Sequence, residues 1–154
     1  MDPIRTALIG CGKIGRTHAL ALHDSSQSNF VAVCDADPER AKAFAAEFSV
    51  AAYTQLDKMI ESARIEAVAV STPHPLHAPI VTTALEHGAH ALVEKPLAAS
   101  LADCDLMIAA AKKAKRKLGV ISQRRLYQPV LRIKEAIEAG KIGRPVLGLS
   151  LIHI

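Results

Sequence analysis

Short runs dominated by Ala, Val, Leu and Ile recur along this chain, and between them lie longer stretches in which apolar residues return every third or fourth position. The short runs fall at residues 4–9, 30–35, 50–53, 66–71, 90–94 and 118–122. Their length and β-branched content predict strands, and their near-continuous apolar character predicts that both faces are covered. The intervening stretches predict helices, and the residues at their ends agree. Asp37-Pro38 reads as an N-cap with proline at the first helical position, opening a helix to about residue 48. Thr54-Gln55-Leu56-Asp57 has the form of a capping box before a short helix, and Ser100-Leu101-Ala102-Asp103 caps a long helix to about residue 116. Gly88 stops a helix predicted over 79–86, and Gly140 closes one predicted over 130–139. Alternation of strand and helix throughout predicts an α/β fold, a doubly wound parallel sheet with helices on both faces.

One further apolar run, residues 146–152, follows Gly143-Arg144-Pro145. A strand there needs neighbours that the preceding elements do not supply, because an unpaired apolar edge is an aggregation hazard. The expected organisation is a first domain over 1–122, then a connecting helix and the first strand of a truncated second α/β domain over 123–154.

The first apolar run leads directly into Gly10-Cys11-Gly12-Lys13-Ile14-Gly15, a G-x-G-x-x-G turn between a strand and a helix. Gly10 permits the sharp exit, Gly12 lets the backbone approach a pyrophosphate, and Gly15 allows helix to pack on strand. The phosphates then face a helix N-terminus, where free N–H groups and the helix dipole favour anions. The second apolar run ends in Asp35 about twenty residues later, the spacing of a carboxylate that binds the ribose hydroxyls of NAD. The alternative for Asp35 is a strand-end acid capping the turn into Asp37-Pro38. Arg40 leaves NADP open, since its guanidinium could offset the repulsion between Asp35 and a 2′-phosphate. Together these features predict the dinucleotide-binding form of the doubly wound sheet, the Rossmann fold.

Composition narrows the function classes. No apolar stretch approaches the roughly 20 residues that span a bilayer, and the N-terminal residues lead into the first strand without a signal-like apolar region, which argues against membrane partners. The three cysteines, Cys11, Cys34 and Cys104, are odd in number and have no C-x-x-C spacing, as expected of reduced thiols in a cytoplasmic protein. A net charge of +4 and the basic run 112–117 raise the question of nucleic acid. That run closes a helix, where cations complement the dipole, and 3% aromatics leave few rings to stack on bases, so no nucleic-acid partner is expected.

Ligands of open parallel sheets lie beyond the carboxyl ends of the strands, and chemistry-bearing residues collect there. They are the glycine turn, Asp35, Ser71-Thr72-Pro73-His74-Pro75-Leu76-His77, Glu94-Lys95-Pro96, and Gln123-Arg124-Arg125. His74 and His77 by themselves make half a metal site, without a carboxylate or cysteine at ligand spacing, and no metal is expected. Glu-Lys-Pro after the fifth strand, together with the glycine turn, T-P-x-x-x-H-A and G-K-I-G-R-P-V, resembles the Gfo/Idh/MocA family of NAD(P)-dependent oxidoreductases over residues 4–148. The resemblance implies a catalytic role for Lys95 beside nicotinamide and the substrate hydroxyl, and a turn fixed by Pro96, often through a cis bond. It implies cofactor contacts from Gly10, Cys11, Gly12, Lys13, Ile14, Gly15, Asp35, Ser71, Thr72, Pro73, His74, His77, Glu94, Lys95, Pro96, Gln123 and Arg124. Many members have Asn where this chain has His74. Glu94 orients the loop or nearby cofactor groups, or makes a structural salt bridge; His18 is read as a helix residue near the glycine loop.

The resemblance further implies a sugar, polyol or sugar-derivative substrate, and a second domain that brings a further histidine, most substrate contacts and the homo-oligomer interface. Two alternatives stand beside a dehydrogenase: a non-catalytic NAD-binding or sensing module, and a same-fold enzyme using bound NAD for hydrolysis or elimination. The chain by itself is expected to be inactive.

Overall fold

The structure is a computed structural model and describes residues 2–148. The chain divides into two compact units between Ile121 and Ser122. The first unit holds six parallel strands, β1 (Ile4–Ile9), β2 (Ser28–Cys34), β3 (Ala51–Tyr53), β4 (Ala67–Val70), β5 (His90–Val93) and β6 (Leu118–Val120), in the order β3-β2-β1-β4-β5-β6. Helices α1 (Lys13–Asp24), α2 (Pro38–Phe48), α3 (Leu56–Ala63), α4 (His77–Glu86) and α5 (Leu101–Ala114) connect them. The expected doubly wound α/β class is the observed one.

The strand runs are continuously apolar because successive residues enter two different cores. Ala7, Ile9, Ala32, Cys34, Val68 and Val70 pack in the larger core, whose helical side includes Met59, Ile60, Val81, Leu85 and Met107. Leu8, Val33 and Ala69, the residues between them, pack in a smaller core with Ala19 and Phe48. Phe30 and Phe44 both lie against Phe48, so the chain's three phenylalanines meet in one cluster. Burial of α5 at Met107, Ala110 and Ala111 gives the i, i+3, i+4 stripe of a helix lying on a sheet.

Several boundaries differ from expectation for local reasons. The capping box at Thr54 does not form: α3 is entered from Gln55, without a side-chain cap, as the Met59 N–H donates to the Gln55 carbonyl. Helix α4 begins at His77 rather than residue 79, after a 3-10 turn over His74–Leu76, and carries Pro79 in its first turn, where no intrahelical N–H is required. Helix α5 stops at Ala114, because Lys115 turns left-handed at φ 54° and Arg116 donates from Nε to the Gly88 carbonyl at 2.6 Å. The caps at Asp37 and Ser100 form as expected: Asp37 accepts the Glu39 and Arg40 N–H groups, and Ser100 accepts that of Asp103.

The second unit contains a 3-10 turn, Gln123–Leu126, and α6, Gln128–Glu138, with Pro129 in its first turn and Gly140 at φ +69° beyond its end. Of the apolar run expected as a strand over 146–152, Val146, Leu147 and Gly148 have no regular structure, and residues 149–152 lie outside the described residues.

Candidate functional site

The sheet order reverses between β1 and β4, and the crevice expected at such a switch point is present beyond their carboxyl ends, with a volume of about 590 Å³. Its base is closed by glycine. Gly10 has φ +95°, and a Cβ there would lie 2.9 Å from the Ser71 carbonyl carbon; a Cβ on Gly15 would run into the Gly10 carbonyl oxygen. Gly12 differs from both. Its φ of −93° suits any residue, and nothing lies within 4 Å of where its Cβ would be. The fold therefore does not require glycine at position 12, whereas a ligand pressed against the backbone would. Gly12 is also the N-cap of α1, with no side-chain cap and no acid in the first turn, so the unpaired N–H groups of that turn are left for an anion.

Asp35 sits at the rim of the same crevice, 9% exposed. Its Oδ2 accepts the Cys11 N–H at 2.7 Å and its Oδ1 the Asp37 N–H at 2.9 Å, with the Arg40 guanidinium 3.5 Å from Oδ1. Asp35 thus caps the turn and borders the cleft at once, and Oδ2, with one donor, keeps a second acceptor site. Arg40 is held on its other side by Asp37 Oδ2 at 3.0 Å. The backbone N–H groups of Arg40 and Glu39, with the Arg40 side chain, hold the Asp37 carboxyl below its usual range. Cys11 turns its side chain into the smaller core, and its backbone N–H donates to Asp35 within the loop. Burial, then the negative charge of Asp35 and the neighbouring Cys34, push its thiol up to about 12, partly offset by Arg40.

The segment after β4 supplies the opposite wall. Ser71 lines the crevice, but its hydroxyl donates to the Gly10 carbonyl at 2.9 Å. Thr72 also lines it, and its Oγ1 is buried with no hydrogen-bond partner among the described residues, as suits a group awaiting a polar ligand. His77 departs from expectation. It is fully buried, with Nδ1 3.0 Å from the Pro96 carbonyl and Nε2 3.0 Å from the Thr72 carbonyl, so its ring offers no surface to a cofactor. His74 is exposed and meets the His77 ring edge to face. The apolar part of the cleft joins Ile14, one of the expected cofactor contacts, to Leu56, Leu76 and Ile80, which were not expected to contact the cofactor. Its signal is the half exposure of Ile14 and Leu76, which appears only once the chain is folded.

Glu94, Lys95 and Pro96 follow β5 at the same carboxyl edge of the sheet. Lys95 is exposed, and the Lys95–Pro96 bond is cis. Glu94 Oε1 lies 2.9 Å from Nε2 of His18 in α1, and its Oε2 accepts the Lys95 N–H, so it contacts both a helix histidine and its own loop. Gln123 and Arg124 lie in the 3-10 turn of the second unit.

Residues 4–122 match the Gfo/Idh/MocA oxidoreductase family in its NAD-binding Rossmann fold. The chain belongs to this family. As a Gfo/Idh/MocA NAD-binding domain, it is similar to D-apiose dehydrogenase of Paraburkholderia graminis, 34% identical over 92% of this chain and 38% of that protein. Inositol 2-dehydrogenase 1 of Saccharopolyspora erythraea is 38% identical over 94% of this chain and 44% of its own length. The WlbA dehydrogenase of Bordetella pertussis, solved with NADH and UDP-GlcNAcA, superposes with a TM-score of 0.87 at 31% identity, covering 92% of this chain and 44% of that one. The chain therefore spans about two fifths of the length of these Gfo/Idh/MocA relatives. Among its described residues, no helix is long and apolar enough to cross a membrane.

Proposed function

We propose that the protein carrying this chain is a dehydrogenase that oxidises a hydroxyl of a sugar, polyol or sugar derivative, with this domain holding NAD and Lys95 serving the reacting hydroxyl. The observation that carries the reading is the crevice: an uncapped helix N-terminus behind a glycine whose side-chain position is empty, with Asp35 on its rim and Lys95 on the same edge of the sheet. Dinucleotide bound there supplies the acceptor for hydride. The chain's own residues do the rest. The α1 N–H groups hold the pyrophosphate, Asp35 accepts from the ribose hydroxyls, and Thr72 Oγ1 and Pro73 face the bound molecule from the β4 side. Lys95 in its neutral amine form accepts the substrate hydroxyl proton at Nζ as the carbonyl forms, and the resulting ammonium stays hydrogen-bonded to that oxygen and orients it. The substrate class follows the inositol, apiose and nucleotide-sugar relatives.

Replacing Lys95 by Ala in the protein that contains this chain should lower turnover by about 100-fold or more and leave NAD affinity within about threefold, because the proposed contact is to the reacting oxygen. Initial rates of NADH formation together with calorimetric NAD titration check this, and wild-type turnover would remove Lys95 from the chemistry.

A further inference from the structure

The Lys95 side chain makes no hydrogen bond among the described residues, so the backbone that carries it must set where its ammonium can reach. That backbone is held on both sides. On one side, Glu94 Oε2 accepts the Lys95 N–H at 3.1 Å while Oε1 lies 2.9 Å from His18 Nε2. A carboxylate only accepts, so His18 donates from Nε2, and both side chains are 16% exposed, where a charge-assisted bond is little diluted by water. On the other side the Pro96 carbonyl faces His77 Nδ1, and the same ring reaches the Thr72 carbonyl of the cleft wall with Nε2.

A fully buried imidazole is costly unless its nitrogens are satisfied, and an aliphatic side chain would fill an apolar site at less cost. The two carbonyls give His77 a reason to be histidine. They belong to the loops after β4 and β5, beyond the last ladder bond, in which the Glu94 N–H donates to the Val70 carbonyl. The ring thus packs between the cleft wall and the lysine loop, bonding whichever of the two carbonyls faces an N–H, and both where both nitrogens carry hydrogen. His18 makes a comparable contact from the first turns of α1, the helix whose N-terminus faces the crevice.

We propose that His18 and His77 are positioning residues that clamp the Glu94–Pro96 segment from opposite sides and so fix the reach of Lys95 relative to the cofactor crevice. The functional half of this rests on the reading that Lys95 serves the reacting hydroxyl; the structural half does not. Neither histidine is asked to touch cofactor or substrate.

The structural half is tested in the 154-residue chain. Its ¹H–¹⁵N spectra would be compared with those of His18→Ala, His18→Gln, His77→Phe and His77→Gln, with circular dichroism melts to confirm folding. In His18→Ala the Lys95 amide should shift and exchange about tenfold faster, the equivalent of one lost hydrogen bond, while Leu8 and Val33 in the central strands stay unchanged. In His18→Gln, whose amide can still donate to Glu94, the protection should return. His77→Phe should move the Lys95 and Leu97 signals in the same way, and His77→Gln should move them less. An unaltered Lys95 amide in folded His18→Ala and in folded His77→Phe or His77→Gln overturns the clamp.

In the longer protein, NADH formation from myo-inositol, apiose and UDP-linked sugars should show kcat lowered about tenfold by His18→Ala, with NAD affinity within about threefold and recovery in His18→Gln. Loss of turnover in Lys95→Ala with none in His18→Ala would overturn the functional half. Wild-type turnover in Lys95→Ala would overturn the underlying reading of Lys95 and leave the spectroscopic result standing on its own.

Discussion

At the scale of single residues, the three glycines of one turn are present for three reasons, and the reasons predict different failures. Gly10 is fixed by its positive φ and Gly15 by the absence of room, whereas Gly12 faces open space. Gly12→Val should therefore fold, melting within a few degrees of wild type, yet bind NAD about 100-fold more weakly, a loss of about 2.7 kcal/mol. Gly15→Ala should lower the melting temperature and lose binding with it. Calorimetry and thermal melts distinguish the two, and unchanged NAD affinity in Gly12→Val would move the phosphate site elsewhere. The cysteines give a second prediction. Burial raises the Cys11 thiol to about 12 and the Cys34 thiol to about 11, from an ordinary value of 9.0, with Asp35 adding to both. At pH 8 iodoacetamide should consequently label the half-buried Cys104 first, as peptide mass spectrometry would read. Raised pKa values mean that the folded state holds these protons after the unfolded chain has released them. Their contribution to stability is thus intact below about pH 9 and falls as pH climbs toward 11 and 12. The urea midpoint should drop between pH 8 and pH 10.5, and less steeply when Cys11 or Cys34 is replaced by Ala.

At the scale of elements, the junction of β2 and α2 joins cofactor preference to the architecture of a turn. Asp35 and Asp37 hold Arg40 between them, so a cation suited to a 2′-phosphate is neutralised where it stands. Asp35→Ser should weaken NAD binding and narrow the gap to NADP, by removing repulsion and releasing Arg40; parallel titration of the two cofactors checks it. Tighter binding of NADP than NAD by the wild-type chain would refute the assignment. Much of this was legible in the sequence, because glycine spacing, strand-end acids and N-caps act within one turn of the chain. Strand ends were legible to a residue or two. Most of the missing parts depend on residues distant in sequence. His18 and Glu94 are 76 positions apart, and His77 and Pro96 are 19 apart. No periodicity reports such pairs. His77 looked like a ligand because its sequence neighbours, Thr72, Pro73 and His74, belong to the cleft loop; three-dimensional packing turned it inward. Thr54 had the spacing of a capping box, but the first α3 backbone bond is anchored one residue later, at Gln55.

At the scale of the whole molecule, the first unit holds the cofactor crevice, and oxidation of an alcohol requires more than that. The donor carbon must be held at the nicotinamide ring and water excluded, and the chain covers well under half of the relatives that catalyse such reactions. The 154-residue chain should accordingly bind NAD in calorimetry and form no NADH with inositols or sugars; measurable NADH formation would refute this division of labour. One further consequence lies in the strands at the two margins of the sheet. β3 and β6 are only three residues long, Ala51–Tyr53 and Leu118–Val120. The longest strands, β1 and β2, have neighbours on both sides. Each outer margin therefore offers a stranger's backbone only a few unpaired donors and acceptors, too short a template to recruit and extend an intermolecular sheet. Brevity at the rim protects the interior pattern of alternating small and branched residues, which as a free peptide would be well suited to fibril growth.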